Sequence, residues 1–270
     1  MGNEPKNLYQ QDSNGYYIYD VAQTHLEQNY NDYTEDDHKV WQILFERQIK
    51  NLPNKVTKEY LKGIDIVGFE NDKVPNLKKV NQFLAATTGW EIHVVPGLIP
   101  VKEFFELMQN KKFCATTWLR TLEQLDYLEE PDMFHDVFGH VPLLTNQPLC
   151  DFVQDLSTLA LKYIDNTAVI EAIGRLYWFT IEFGLIQERQ GLRIYGAGIV
   201  SSSGETDYSL FSTEPQRVPF NATEILRTPY YKDHYQNKYF VIYSFEQLYN
   251  SMSEIEEEVE KIAQESLLAV

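Results

Sequence analysis

The 270-residue chain is short of cysteine, of basic charge and of long apolar runs, and each shortage removes a class of function. Only Cys114 and Cys150 occur, with no C-x-x-C, which argues for a reducing compartment and against a thiolate metal site. Lys and Arg number 23 against 40 Asp and Glu, a formal charge of −17. Such a surface repels phosphate backbones and anionic headgroups, so neither nucleic acid nor a membrane surface is an expected partner. No stretch approaches the roughly 20 apolar residues that span a bilayer, and the N-terminus has no signal-type apolar region. Gly2 follows Met1, but Lys6 stands where myristoylation needs Ser or Thr. The expectation is a cytoplasmic protein. Phosphate-binding and nucleophile motifs are missing too. Residues 196–201 begin like G-x-G-x-x-G but carry Ser201 in place of the third Gly, and there is no Walker A and no G-x-S-x-G.

What is present is ample material for a core: 43% of residues are hydrophobic and 14% aromatic. No repeat or Pro/Gly-rich break divides the chain, so one catalytic domain over residues 1–270 is expected, with an irregular lead over about 1–15. Apolar Val40, Ile43, Leu44 and Ile49 predict a helix behind the acidic start at residues 34–37. Leu77, Val80 and Leu84 predict another, ending at Gly89 as a C-terminal cap. Residues 90–97 predict a strand and turn. Further helices are expected over residues 101–109, 123–128, 148–164 and 168–187, with strands and loops over 191–205 and 239–245. Ser253 and Glu256 have capping-box spacing before Ile255, Val259 and Ile262, which predicts a helix over 251–270 docking on its own domain. The class is mainly α (α+β), with a few short strands and no strand-helix alternation of the doubly wound kind.

Two residue patterns carry chemistry. His135 and His140 lie five positions apart in PDMFHDVFGHVPLL, and an ideal helix would set them about 140° apart. A π-type turn or a broken helix between Asp136 and His140 would bring them together, and such turns favour functional sites. Glu182 is the one acidic residue in RLYWFTIEFGLI, where an ionised carboxylate is costly unless paired or metal-bound. Arg175, seven residues earlier, is the alternative partner. Two imidazoles and a carboxylate form the facial triad of non-haem Fe(II) sites, and the same set also describes some catalytic zinc sites. A zincin would read H-E-x-x-H; here Asp136 follows the first His and the spacing is one longer, which tilts the choice towards iron. A zinc hydrolase and a catalytically inert acidic interaction module are the competing readings.

The stretches EPDMFHDVFGHVPLL, LYWFTIEFGLI and YGAGIVSSSGE, in this order and at these separations, resemble the pterin-dependent aromatic amino acid hydroxylases, especially their compact bacterial phenylalanine-hydroxylating members. The likeness runs from about residue 10 to residue 250. It implies a mainly helical catalytic domain in which His135, His140 and Glu182 hold Fe(II), with dioxygen as co-substrate and a tetrahydropterin as reductant. It places the pterin against Gly97, Leu98, Ile99, Phe104, Asp136 and Tyr177. It places a free aromatic amino acid against Arg120, Leu128, Pro131, Trp178, Ser201 and Ser202, with Arg120 forking onto the α-carboxylate. Leu122 stands where bacterial members often have Pro. The implied reaction is ring hydroxylation, L-phenylalanine to L-tyrosine, with tryptophan or tyrosine as the alternative substrate. The larger animal members carry a regulatory domain and a tetramerisation helix that have no counterpart in these 270 residues, so a monomer or weak dimer is expected.

Overall fold

Side-chain caps write most helix starts in this chain, as a computed structural model describing residues 10–126, 128, 130–232 and 234–268 makes plain. Thr34 opens α1 (Glu35–Asn51) in a full capping box, its N–H donating back to the Asp37 carboxylate at 2.8 Å. Thr57 caps α2 (Lys58–Val67) and Asn76 caps α3 (Leu77–Thr87). Each such cap is worth about 1 kcal/mol. Past α3 the backbone of Gly89 turns left-handed at φ +77°, the terminus expected from its sequence.

β1 (Glu91–Val94) and β2 (Lys112–Ala115) pair in parallel, with α4 (Val101–Gln109) as the crossover. A π-helical segment over Phe134–His140 and a 3-10 turn over Val141–Thr145 follow, then α5 (Gln147–Lys162) and α6 (Thr167–Tyr177). A second π-helical segment, Trp178–Glu182, continues α6. The second sheet has the order β4-β3-β6-β5, from β3 (Leu185–Glu188), β4 (Gly191–Ile194), β5 (Gln216–Pro219) and β6 (Lys238–Ile242). β3 and β4 form an antiparallel hairpin; β6 runs parallel to both β3 and β5. Short helices α7 (Ala197–Val200), α8 (Ser203–Phe211), α9 (Ala222–Arg227) and α10 (Phe245–Asn250) fill the connections, and α11 (Met252–Leu268) ends the described chain. The fold is thus mainly helical with a few short strands.

One apolar cluster runs from Val40 to Ile262, and its densest part is aromatic. Phe134 and Phe138 stack at 4.6 Å, and Trp41 meets Phe134 edge-on at 5.4 Å. The first π-helical segment is therefore clamped inside the core. α11 buries Ile255, Val259 and Ile262 against the same cluster. No helix among the described residues is long and apolar enough to cross a membrane.

Four expectations need correction. The helix expected over 168–187 ends at Glu182, and Leu185–Glu188 form β3 beyond it. Among the described residues of the helix expected over 123–128 there is only a 3-10 turn, Leu122–Gln124, opened by a capping box between Thr121 and Gln124. Within residues 191–205, expected as strands and loops, 197–200 and 203–205 are helical, because Gly196 starts α7 and the Ser202 hydroxyl caps α8. Ser253 does not cap α11, whose first residue is Met252. Residues 1–9 of the lead, with Gly2 and Lys6, lie outside the described residues, as do Tyr127 and residues 269–270.

Candidate active site

The π-helical segment solves the five-residue spacing. Hydrogen bonds reaching i→i+5 put residues five apart on one face. His135 Nε2 and His140 Nε2 stand 3.4 Å apart. The distortion begins at Phe134, earlier than the spacing alone predicts. Such a turn must be held, and three groups hold it. Tyr60, fully buried, donates its hydroxyl to the Phe138 carbonyl at 2.5 Å. The buried Asp132 carboxylate accepts from the His135 N–H at 3.2 Å. The Thr116 N–H and hydroxyl donate to Asp136 Oδ2 at 2.8 and 3.0 Å.

The second π-helical segment delivers Glu182. Its Oε1 lies 3.3 Å from His140 Nε2 and its Oε2 3.6 Å from His135 Nε2. Donor atoms of the three residues all fall within 4.8 Å of one another. Arg175 takes no part: it donates to the Leu226 carbonyl and pairs with Glu171. The segment is closed by the Phe183 N–H donating to the Trp178 carbonyl at 2.9 Å, with the Thr180 hydroxyl on the Leu176 carbonyl at 2.6 Å. Gly196 crosses directly over it. A Cβ there would sit 2.4 Å from the Glu182 carbonyl oxygen and 2.5 Å from the Gly184 nitrogen, so the crossing requires glycine.

The electrostatics suit a cation. Burial pushes the His135 imidazolium down to about 4, with the neighbouring His140 adding to the effect against the pull of Glu182. Its ring is neutral at ordinary pH. Burial alone would raise the Glu182 carboxyl, but the two imidazoles outweigh it and hold the group below its usual value. His135 Nδ1 meets Ser201 Oγ at 2.9 Å, and that hydroxyl gives its proton to the Ala197 carbonyl at 2.8 Å. Nδ1 must then be the N–H, which leaves the Nε2 lone pair facing Glu182 and His140. Neutral nitrogen, anchored tautomer and ionised carboxylate fit a divalent metal, and a three-sided set leaves positions open towards the cavity. Burial raises Asp136 to about 7 despite its Thr116 bonds, and pushes the Tyr177 phenol and the Cys114 thiol up as well.

The triad opens into a cavity of ≈ 680 Å³, the size of small-molecule sites. Gly97, Leu98, Ile99, Phe104, Asp136 and Tyr177 all line it. Phe104 and Tyr177 meet edge-on at 5.6 Å. Pro131 and Trp178 line it as well, and Trp178 stacks on Tyr230 at 4.4 Å. Arg120, Leu128, Ser201 and Ser202 are not part of its wall. Arg120 instead makes a two-pronged pair with Asp132, Nε and Nη2 each at 2.9 Å, and keeps Nη1 free of partners among the described residues. Ser201 is spent on His135 and Ser202 on the N-terminus of α8.

Sequence reasoning missed Asp132, Thr116, Tyr60 and Gln236. Gln236 accepts from Trp178 Nε1 at 3.1 Å and ties that ring to the buried Glu205, which in turn accepts from the Tyr239 hydroxyl at 2.7 Å. The signal available for Asp132 was its acidic character three residues ahead of His135. The others carry none that local pattern reveals.

A family model described as biopterin-dependent aromatic amino acid hydroxylase matches residues 16–265. The phenylalanine-4-hydroxylase of Ralstonia nicotianae is 46% identical over 226 residues, covering 84% of this chain and 72% of that one. That of Pseudomonas aeruginosa is 44% identical over 238 residues, covering 88% and 86%. Among solved structures, Chromobacterium violaceum phenylalanine hydroxylase with bound iron(III) and oxidised 7,8-dihydrobiopterin superposes with a TM-score of 0.86 at 43% identity, covering 91% and 89%.

Proposed function

Because this chain belongs to the biopterin-dependent aromatic amino acid hydroxylases, we propose that it converts L-phenylalanine to L-tyrosine with Fe(II), dioxygen and a tetrahydropterin. The observation that carries this reading is the convergence of His135, His140 and Glu182 at the wall of a cavity large enough for two small molecules. His135 Nε2, His140 Nε2 and Glu182 would hold the iron, which with the pterin supplies the activation of dioxygen that no side chain can perform.

The chain's own part is to bind, orient and keep water out. Gly97, Leu98 and Ile99 line a loop against which a flat pterin can lie, with Phe104 and Tyr177 as the aromatic walls beside it. Asp136, fixed by Thr116, presents a carboxyl at the metal end of the same cavity. Trp178 and Pro131 wall the substrate ring, and Tyr230 behind Trp178 keeps that indole from tilting. Arg120 does not line the cavity wall, but with Nε and Nη2 fixed by Asp132 its Nη1 would be the group left to reach for the α-carboxylate. Ser201 would act through His135, to which it is bonded, while Ser202 caps α8.

The test is to load the protein with Fe(II), add tetrahydropterin and each aromatic amino acid separately, and read products by mass. Tyrosine formed from phenylalanine, dependent on pterin and oxygen, is expected. Preferential hydroxylation of tryptophan or tyrosine would overturn the substrate, and turnover without oxygen or pterin would overturn the reaction.

A further inference from the structure

The two imidazoles of the triad are anchored unequally. His135 Nδ1 is bonded to Ser201 Oγ, whereas His140 Nδ1 has no hydrogen-bond partner among the described residues. His140 also walls a second, much smaller void of ≈ 20 Å³, together with Phe113, Gly139, Leu143, Ile181 and Tyr195. Tyr195 is 1% exposed, and its hydroxyl has no partner. That placement is built in: a Cβ on Gly184 would come 2.1 Å from Tyr195 Cζ, so only glycine leaves room for the phenol tip.

A buried hydroxyl left unpaired costs about 1–3 kcal/mol, and phenylalanine would fill the same space without that cost. The void exceeds the roughly 10–15 Å³ that one water requires, and a buried water needs polar partners. His140 and Tyr195 supply polar side-chain groups in a lining otherwise made of apolar side chains. Occupation by an apolar gas would leave both unpaired.

We propose that this void is a single-water site, in which a buried water accepts from His140 Nδ1–H and bonds the Tyr195 hydroxyl, making Tyr195 a positioning residue for the second metal-binding imidazole. The arrangement gives His140 what Ser201 gives His135: an acceptor that fixes the tautomer and aims Nε2 at the metal. The inference rests on the metal reading of the triad.

The experiment uses Tyr195→Phe beside Ser201→Ala and the parent protein. Metal-free samples are titrated with Co(II) against a chelator while the cobalt absorption bands are recorded, and the cobalt-loaded parent is crystallised with and without xenon pressure. One ordered water within hydrogen-bond reach of His140 Nδ1 and Tyr195 Oη is expected. So are a ~10–100-fold loss of Co(II) affinity in Tyr195→Phe, comparable to that of Ser201→Ala, and a shift of the absorption bands. Unchanged affinity and bands in Tyr195→Phe overturn the inference, as does a void that is dry or takes up xenon. Parent protein that binds no Co(II) sinks the metal reading itself, a different outcome from parent and variant binding it equally.

Discussion

The two π-helical segments both deliver metal-binding groups, but they are secured in opposite ways. The first, Phe134–His140, is held from many sides: the Tyr60 hydroxyl on the Phe138 carbonyl, Asp132 on the His135 N–H, Thr116 on Asp136, and the Phe134–Phe138 stack against Trp41. The second, Trp178–Glu182, has one tertiary backbone crossing, at Gly196, besides the local Thr180–Leu176 hydrogen bond and the aromatic and amide neighbours at Trp178. Redundant support tolerates the loss of any single prop. A single crossing does not.

The largest effect expected is on the group the second segment presents. Glu182→Gln removes the carboxylate charge opposite both imidazoles and should cost more iron affinity than the ~10–100-fold typical of outer partners, with loss of tyrosine formation. Metal content and product assays read it; normal iron and normal activity would break the site. Next, Gly196→Ala forces a methyl into the Glu182 and Gly184 backbone and should lower stability by about 3 kcal/mol in urea unfolding, with weakened metal binding. If the variant keeps both, the crossing is not the support described.

Glu205 offers a titratable probe of the same segment. Burial raises its carboxyl to about 7, against the opposing hydrogen bonds from Tyr239 and Gln236. The fold therefore prefers the neutral acid, and its contribution is full below about 4.5, fades as pH rises, and is gone above about 7. Between pH 5 and 8 the parent protein should lose roughly 1–3 kcal/mol more than Glu205→Gln, measured by denaturant unfolding at each pH. Equal pH profiles would remove Glu205 from the account. The smallest effect belongs to the redundant segment: Tyr60→Phe should cost about 1 kcal/mol and leave iron affinity within a few-fold. A large loss of iron there would show that the first segment has no spare support.

The same contrast governs what the sequence revealed. His135 and His140 are two readable residues on one distortion, so their spacing announced the first π-helical turn. Glu182 is alone on the second, and nothing in its neighbourhood marks the change of helical pitch. Gly89 was legible because a left-handed terminus needs glycine. Residues 197–205 do not read as helix in the sequence because their Gly and Ser content hides the starts of two short helices at Gly196 and Ser202. Arg120 stood out only through the family resemblance, and its first partner, Asp132, twelve residues on, is set by tertiary contact and not by local pattern. Tyr60 and Gln236 act across 78 and 58 residues respectively, distances at which periodicity says nothing.

Cys114 lines the cavity in which oxygen chemistry would take place. Burial, reinforced by Asp136, keeps its thiol protonated, and the buried Cys150 is likewise pushed up, to about 12. A protonated thiol is a poor target for peroxide, because the thiolate is the species that enters the oxidation ladder. The expected outcome is that sulfenic acid at Cys114 accumulates slowly under peroxide, read by mass.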